Sequence, residues 1–92
     1  MTPGQEPAVE CRARDGGWHC SVIVGRSEHR VQVDRATLDD LAPGRSPDDL
    51  VRASFTFLLE REPPESIMRS FDLPIIARFF ADYPDEMRRR LR

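Results

Sequence analysis

The chain has 92 residues, carries a formal net charge of −2 and is 39% apolar and 33% charged, with all 14 basic residues being arginine. That length makes one domain with one core, and no run of apolar residues approaches the ~20 needed to cross a membrane. The start, MTPGQEPAVE, lacks the basic-then-apolar layout of a signal peptide. A cytoplasmic protein with no membrane association is therefore expected, and the negative net charge provides no overall field drawing it to nucleic acid.

Residues 1–7 contain Pro3, Gly4 and Pro7 without apolar periodicity and are expected to form a flexible leader. Residues 8–92 are expected to form a single α+β domain, with a sheet over 8–34 and a helical part over 35–92. From Ala8 the period is two: Val9, Cys11 and Ala13 alternate with Glu10, Arg12 and Arg14. Asp15-Gly16 is a strong hairpin signal. A second strand alternates through Trp18, Cys20, Val22 and Val24, Gly25 to Glu28 turns the chain, and His29 to Val33 makes a third strand.

The faces set the register, because a one-residue slip moves a whole apolar set to the other side. A two-residue Asp15-Gly16 turn places Ala13 opposite Trp18, Cys11 opposite Cys20 and Val9 opposite Val22. Carried over the second turn, the pattern predicts Val22 opposite Val31 and Cys20 opposite Val33. One face is then apolar. The other carries Glu10, Arg12, Arg14, His19, Ser21, Arg30 and Gln32, with Ile23 the exception.

Asp34 is a candidate cap for a short helix from Arg35 to about Leu41, ended by Pro43-Gly44. Ser46-Pro47-Asp48-Asp49 is a strong helix start, with proline at the first helical position and acids at the positive end of the dipole. This helix is predicted to run to about Arg61. Its apolar residues Leu50, Val51, Ala53, Phe55, Phe57, Leu58 and Leu59 cover more than half of its circumference, so it is expected at the centre of the fold, packed on the sheet. Pro64 is expected to open a short helical turn carrying Ile67, Met68 and Phe71. Asp72 then caps a helix whose inward stripe is Ile76, Phe79, Phe80, Tyr83, Met87 and Leu91, with a break forced by Pro84 between Asp82 and Asp85. The expected fold class is α+β: a three-stranded antiparallel β-meander followed by helices packed on its apolar face.

Chemistry-bearing residues are few. Eight residues separate Cys11 from Cys20, which is neither a C-x-x-C redox motif nor a paired zinc knuckle. Facing each other, the two are close enough for a disulfide, but a reducing cytosol favours two small core residues. A zinc site would need His19 or His29. His19 points to the opposite face, and His29 lies four residues from the expected partner of Cys20, about 13 Å at ~3.3 Å per residue. No metal and no cofactor are expected. Glu10, His19 and Ser21 share the polar face, yet a flat solvated sheet offers no pocket that excludes water, so no catalytic residue is assigned and the chain is read as not an enzyme.

Two basic clusters are candidate nucleic-acid contacts: Arg12, Arg14 and Arg30 on the sheet face, and Arg88, Arg89 and Arg90 at the C-terminus. Each has a simpler explanation. Charges on an edge strand prevent edge-to-edge aggregation, and cations at a helix C-terminus complement its dipole. The sheet face also lacks the aromatic platforms on which bases stack.

The segments FLLEREPPESI and SFDLPII, within Leu50 to Phe80, resemble a short bacterial protein family of uncharacterised function. The resemblance implies a conserved domain and carries no catalytic motif. The leading expectation is a small non-enzymatic protein-interaction module, working through a protein partner or its own dimer by apolar surface around the C-terminal helices. The alternative is a weak nucleic-acid-binding or regulatory protein using the two arginine clusters.

Overall fold

The computed structural model describes residues 6–92. The expected leader over residues 1–7 lies mostly outside them; of its two described residues, Pro7 is buried. The fold is α+β, with strands β1 (Ala8–Arg14), β2 (Gly17–Val24), β3 (Ser27–Asp34) and β4 (Ser70–Asp72) and helices α1 (Arg35–Leu41), α2 (Pro47–Leu59), α3 (Ile76–Phe79) and α4 (Tyr83–Arg90). Two 3₁₀ turns, Pro64–Ser66 and Leu73–Ile75, flank β4.

The first hairpin pairs Val9 with Val22, Cys11 with Cys20 and Ala13 with Trp18, as the matched faces require. The second differs from the expected register by two residues: Cys20 faces Val31 and Val22 faces His29. The reason is the turn. Gly25 takes a φ of +57°, so Gly25 and Arg26 reverse the chain alone and Val24 sits opposite Ser27. An even slip keeps every side chain on its own face, which is why the facial pattern survives.

The sheet is not a three-stranded meander. Strand β4 joins the far side of β3 in parallel, pairing Val31 with Phe71, and the order is β1-β2-β3-β4. The segment expected as a helical turn carrying Ile67, Met68 and Phe71 is thus a 3₁₀ turn followed by extended chain. Three residues are too few to show strand alternation, and the spacing of those apolar residues mimics a helix. Besides the ladder itself, two further bonds fasten the seam: the Arg30 amide donates to the Arg69 carbonyl at 2.7 Å, and Nδ1 of the buried His29 donates to the Met68 carbonyl at 2.8 Å.

Gly17 begins β2 at a crowded corner. A Cβ built there would run into the backbone carbonyl oxygen of Val33 on β3. Gly17→Ala is expected to cost about 1–3 kcal/mol, the usual penalty for overpacking, read as a lower urea midpoint. An unchanged midpoint would show that the β2–β3 pairing yields easily there.

Two of the three expected helix caps form, whereas Asp72, at the end of β4, makes no side-chain capping bond to the 3₁₀ turn that follows it. The Asp34 carboxylate accepts from the Thr37 amide at 2.8 Å, and Ser46 Oγ accepts from the Asp49 amide at 3.1 Å. Helix α2 buries Leu50, Val51, Ser54, Phe55, Phe57 and Leu58 and lies across β1 and β2. Its one buried hydroxyl is satisfied. Ser54 Oγ donates to the Leu50 carbonyl at 2.8 Å and lies 2.7 Å from the Tyr83 hydroxyl, which joins α4 to α2. Burial pushes the Tyr83 phenol well above its ordinary value.

The C-terminal helix breaks earlier than expected. Phe80 adopts an extended conformation that ends α3, residues 80–82 turn, and α4 begins at Tyr83 with Pro84 in its first turn, where no amide hydrogen is needed. Ile76, Tyr83, Met87 and Leu91 of the expected stripe are buried, Phe80 is half-buried, and Phe79 points outward.

Candidate functional site

The two arginine clusters have different fates. At the C-terminus every member of Arg88–Arg90 is ion-paired. Arg88 reaches Asp40 of α1 and Asp85, each at 3.1 Å; Arg89 pairs with Glu86; Arg90 spans Glu86 at 3.1 Å and Glu60 at 2.8 Å. The hydrogen bond from Arg90 holds the Glu60 carboxyl below its ordinary value, and that from Arg89 does the same for Glu86. Both carboxylates are stabilised in the fold, so this support is complete above the ordinary glutamate range and is lost as pH falls through it. Arg88 ties α4 to α1 and Arg90 ties it to the end of α2, while Arg89 pairs within α4.

On the sheet face Arg12, Arg14 and Arg30 make no ion pair among the described residues. They line one shallow depression of about 430 Å³ together with Glu10, His19 and Ser21. Arg12 lies beside His19, and Ser21 lies between Glu10 and Arg30. Arg14 Nη1 donates to His19 Nδ1 at 2.8 Å. A guanidinium therefore occupies the ring nitrogen that a carboxylate orients in a nucleophile–base–acid relay.

Cys11 and Cys20 are joined by a disulfide, with their Cα atoms 4.0 Å apart. The reading as two free core residues is corrected: directly opposed on neighbouring antiparallel strands, the pair is placed for bonding. His29, expected to open the third strand, lies in β3 with its ring 5.2 Å from that of Phe55. Among the described residues no three His, Cys, Asp or Glu side chains are grouped to hold a metal ion.

A third surface was not legible as a site. A groove of about 100 Å³ runs between the end of α2, the chain around the first 3₁₀ turn, and α3. Leu58, Ile67, Phe71 and Ile76 floor it, while Met68, 42% exposed, and Phe79, 65% exposed, stand on its rim. Among the described residues the other large exposed apolar residue is Ile23, alone on the polar sheet face. No helix among the described residues is long and apolar enough to cross a membrane. Comparison of the chain with protein-family models, curated proteins and solved structures finds no match.

Proposed function

We propose that this protein is a small non-enzymatic interaction module that works as its own dimer through the groove beside α3. One observation carries the reading: a hole and a knob lie on the same patch. The groove has room for part of one large apolar side chain, and Phe79 on its rim is such a side chain, left in water. A surface with both halves is self-complementary about a twofold axis, each copy's Phe79 entering the other's groove.

Charge favours the same occupant. Glu62 lines the groove and Arg78 precedes Phe79, and neither is ion-paired among the described residues. Insertion of Phe79 carries Arg78 toward the partner's Glu62. The segments FLLEREPPESI and SFDLPII, which resemble the short bacterial family, supply most of the groove's lining. The alternative of a weak nucleic-acid-binding or regulatory protein is less well supported, because the ion pairs of Arg88–Arg90 remove half of its cationic surface.

Sedimentation of the full chain from micromolar to millimolar concentration tests the reading. The wild type should reach twice the monomer mass and Phe79→Glu should remain monomeric. Arg78→Glu should weaken association, and adding Glu62→Arg should restore it. A wild type that stays monomeric at millimolar concentration, or a dimer indifferent to Phe79→Glu, overturns the proposal.

A further inference from the structure

The polar face of the sheet lies on the opposite side of the molecule from the helices and has no part in the dimer. We propose that its depression is a binding site for a small phosphate-type dianion, held by Arg12, Arg30, His19 and Ser21.

The inference begins with donors. Arg12 and Arg30 offer forked guanidinium groups suited to tetrahedral oxyanions, with no carboxylate among the described residues bound to either. Because Arg14 donates to His19 Nδ1, the imidazole proton sits on Nε2, and His19 presents a further N–H donor. Ser21 adds a hydroxyl. The strand register sets Arg12 beside His19 and Arg30 beside Ser21, in rows about 7 Å apart along the strands. Long arginine side chains from both rows can close on one anion. Within the depression three cations face one carboxylate, Glu10.

The surroundings limit the size of the ligand. Glu28, Asp34 and Asp72 stand on the same face, and Asp15 lies at the first turn. A nucleic-acid strand leaving the depression would run its phosphates over these carboxylates. A free phosphate, pyrophosphate or phosphomonoester would not. The site therefore fits a compact dianion rather than a polymer.

The test is a titration of the full chain with inorganic phosphate and pyrophosphate at constant ionic strength, followed by amide chemical shifts, with a single-stranded oligonucleotide as a separate arm. Saturable shifts centred on Arg12, His19, Ser21 and Arg30 are expected, with pyrophosphate binding more tightly than phosphate. Arg12→Gln and Arg30→Gln, both at exposed positions, should each weaken binding about tenfold, the loss of one charge-assisted contact. Glu10→Gln should tighten it several-fold. Arg26→Gln, at the second turn, should leave it unchanged, and so should Phe79→Glu, which separates this site from the dimer. Shifts that rise linearly without saturating overturn the proposal, as does equal weakening by Arg26→Gln. An oligonucleotide that binds more tightly than pyrophosphate would assign the face to nucleic acid instead.

Discussion

Phe57→Ala is expected to destabilise the protein by about 3–5 kcal/mol, the cost of truncating a fully buried aromatic. Phe57 is fully buried in α2, and its ring lies 5.8 Å edge-on from that of Phe80 and 5.4 Å from that of Tyr83. The Arg61 guanidinium lies 3.6 Å from the ring centroid, and that of Arg90 lies 5.6 Å away. One side chain therefore holds the end of α2 to both C-terminal helices, and its removal opens a cavity where three elements meet. Urea denaturation of wild type and variant measures the loss. A difference below about 1 kcal/mol would mean that the surrounding rings collapse to fill the space.

Reduction of the Cys11–Cys20 bond is expected to lower stability by about 2.5 kcal/mol, from the chain entropy regained by the unfolded state when a cross-link spanning 9 residues is lost. The half-cystines sit differently. Cys20 is fully buried in β2, while Cys11 is half-buried on the edge strand. Reductant reaches the bond from the β1 side. Paired urea curves with and without reductant give the effect, and a Cys11→Ala, Cys20→Ala double variant should lose stability and become insensitive to reductant. Coincident midpoints under both conditions would show that the bond adds nothing. A protein kept in a reducing cytoplasm forgoes this contribution.

The strands of the first two hairpins were legible in the sequence because each has one wet and one dry face, and alternation reports that directly. Register was legible only where the turn was. Asp15-Gly16 marks a two-residue reversal unambiguously, whereas Gly25-Arg26-Ser27-Glu28 has polar residues enough for a longer turn. An error of two residues leaves every face intact, so alternation could not expose it. The caps Asp34 and Ser46 were legible, since each acts through a bond within three residues, whereas the expected cap Asp72 is the last residue of β4 and makes no such bond. Strand β4 was not legible, since its pairing depends on β3, 40 residues away at Arg30 and Ser70.

Phe79 shows how such an error reaches the surface proposed for self-association. Its spacing from Ile76 and Tyr83 fits one face of a continuous helix. Proline favours the first turn of a helix, so α4 restarts around Pro84, and the turn over residues 80–82 interrupts the period. Phe79 is thereby rotated out of the core. The split between the arginine clusters was likewise hidden, since Arg88 and Arg90 find Asp40 and Glu60 only after the helices have packed.

The parallel seam between β3 and β4 also governs the order in which the molecule assembles. The two hairpins close over short loops and form early, whereas β4 must return across the whole of α1 and α2 before its first bond is made. Until then the outer edge of β3 is bare, with its amides and carbonyls free to pair with any extended chain. The same late segment carries most of the floor of the groove, Ile67, Phe71 and Ile76. A nascent or C-terminally truncated chain thus lacks most of the groove and presents a sticky strand edge in its place, so the proposed assembly through Phe79 would be open only to a chain that has finished folding.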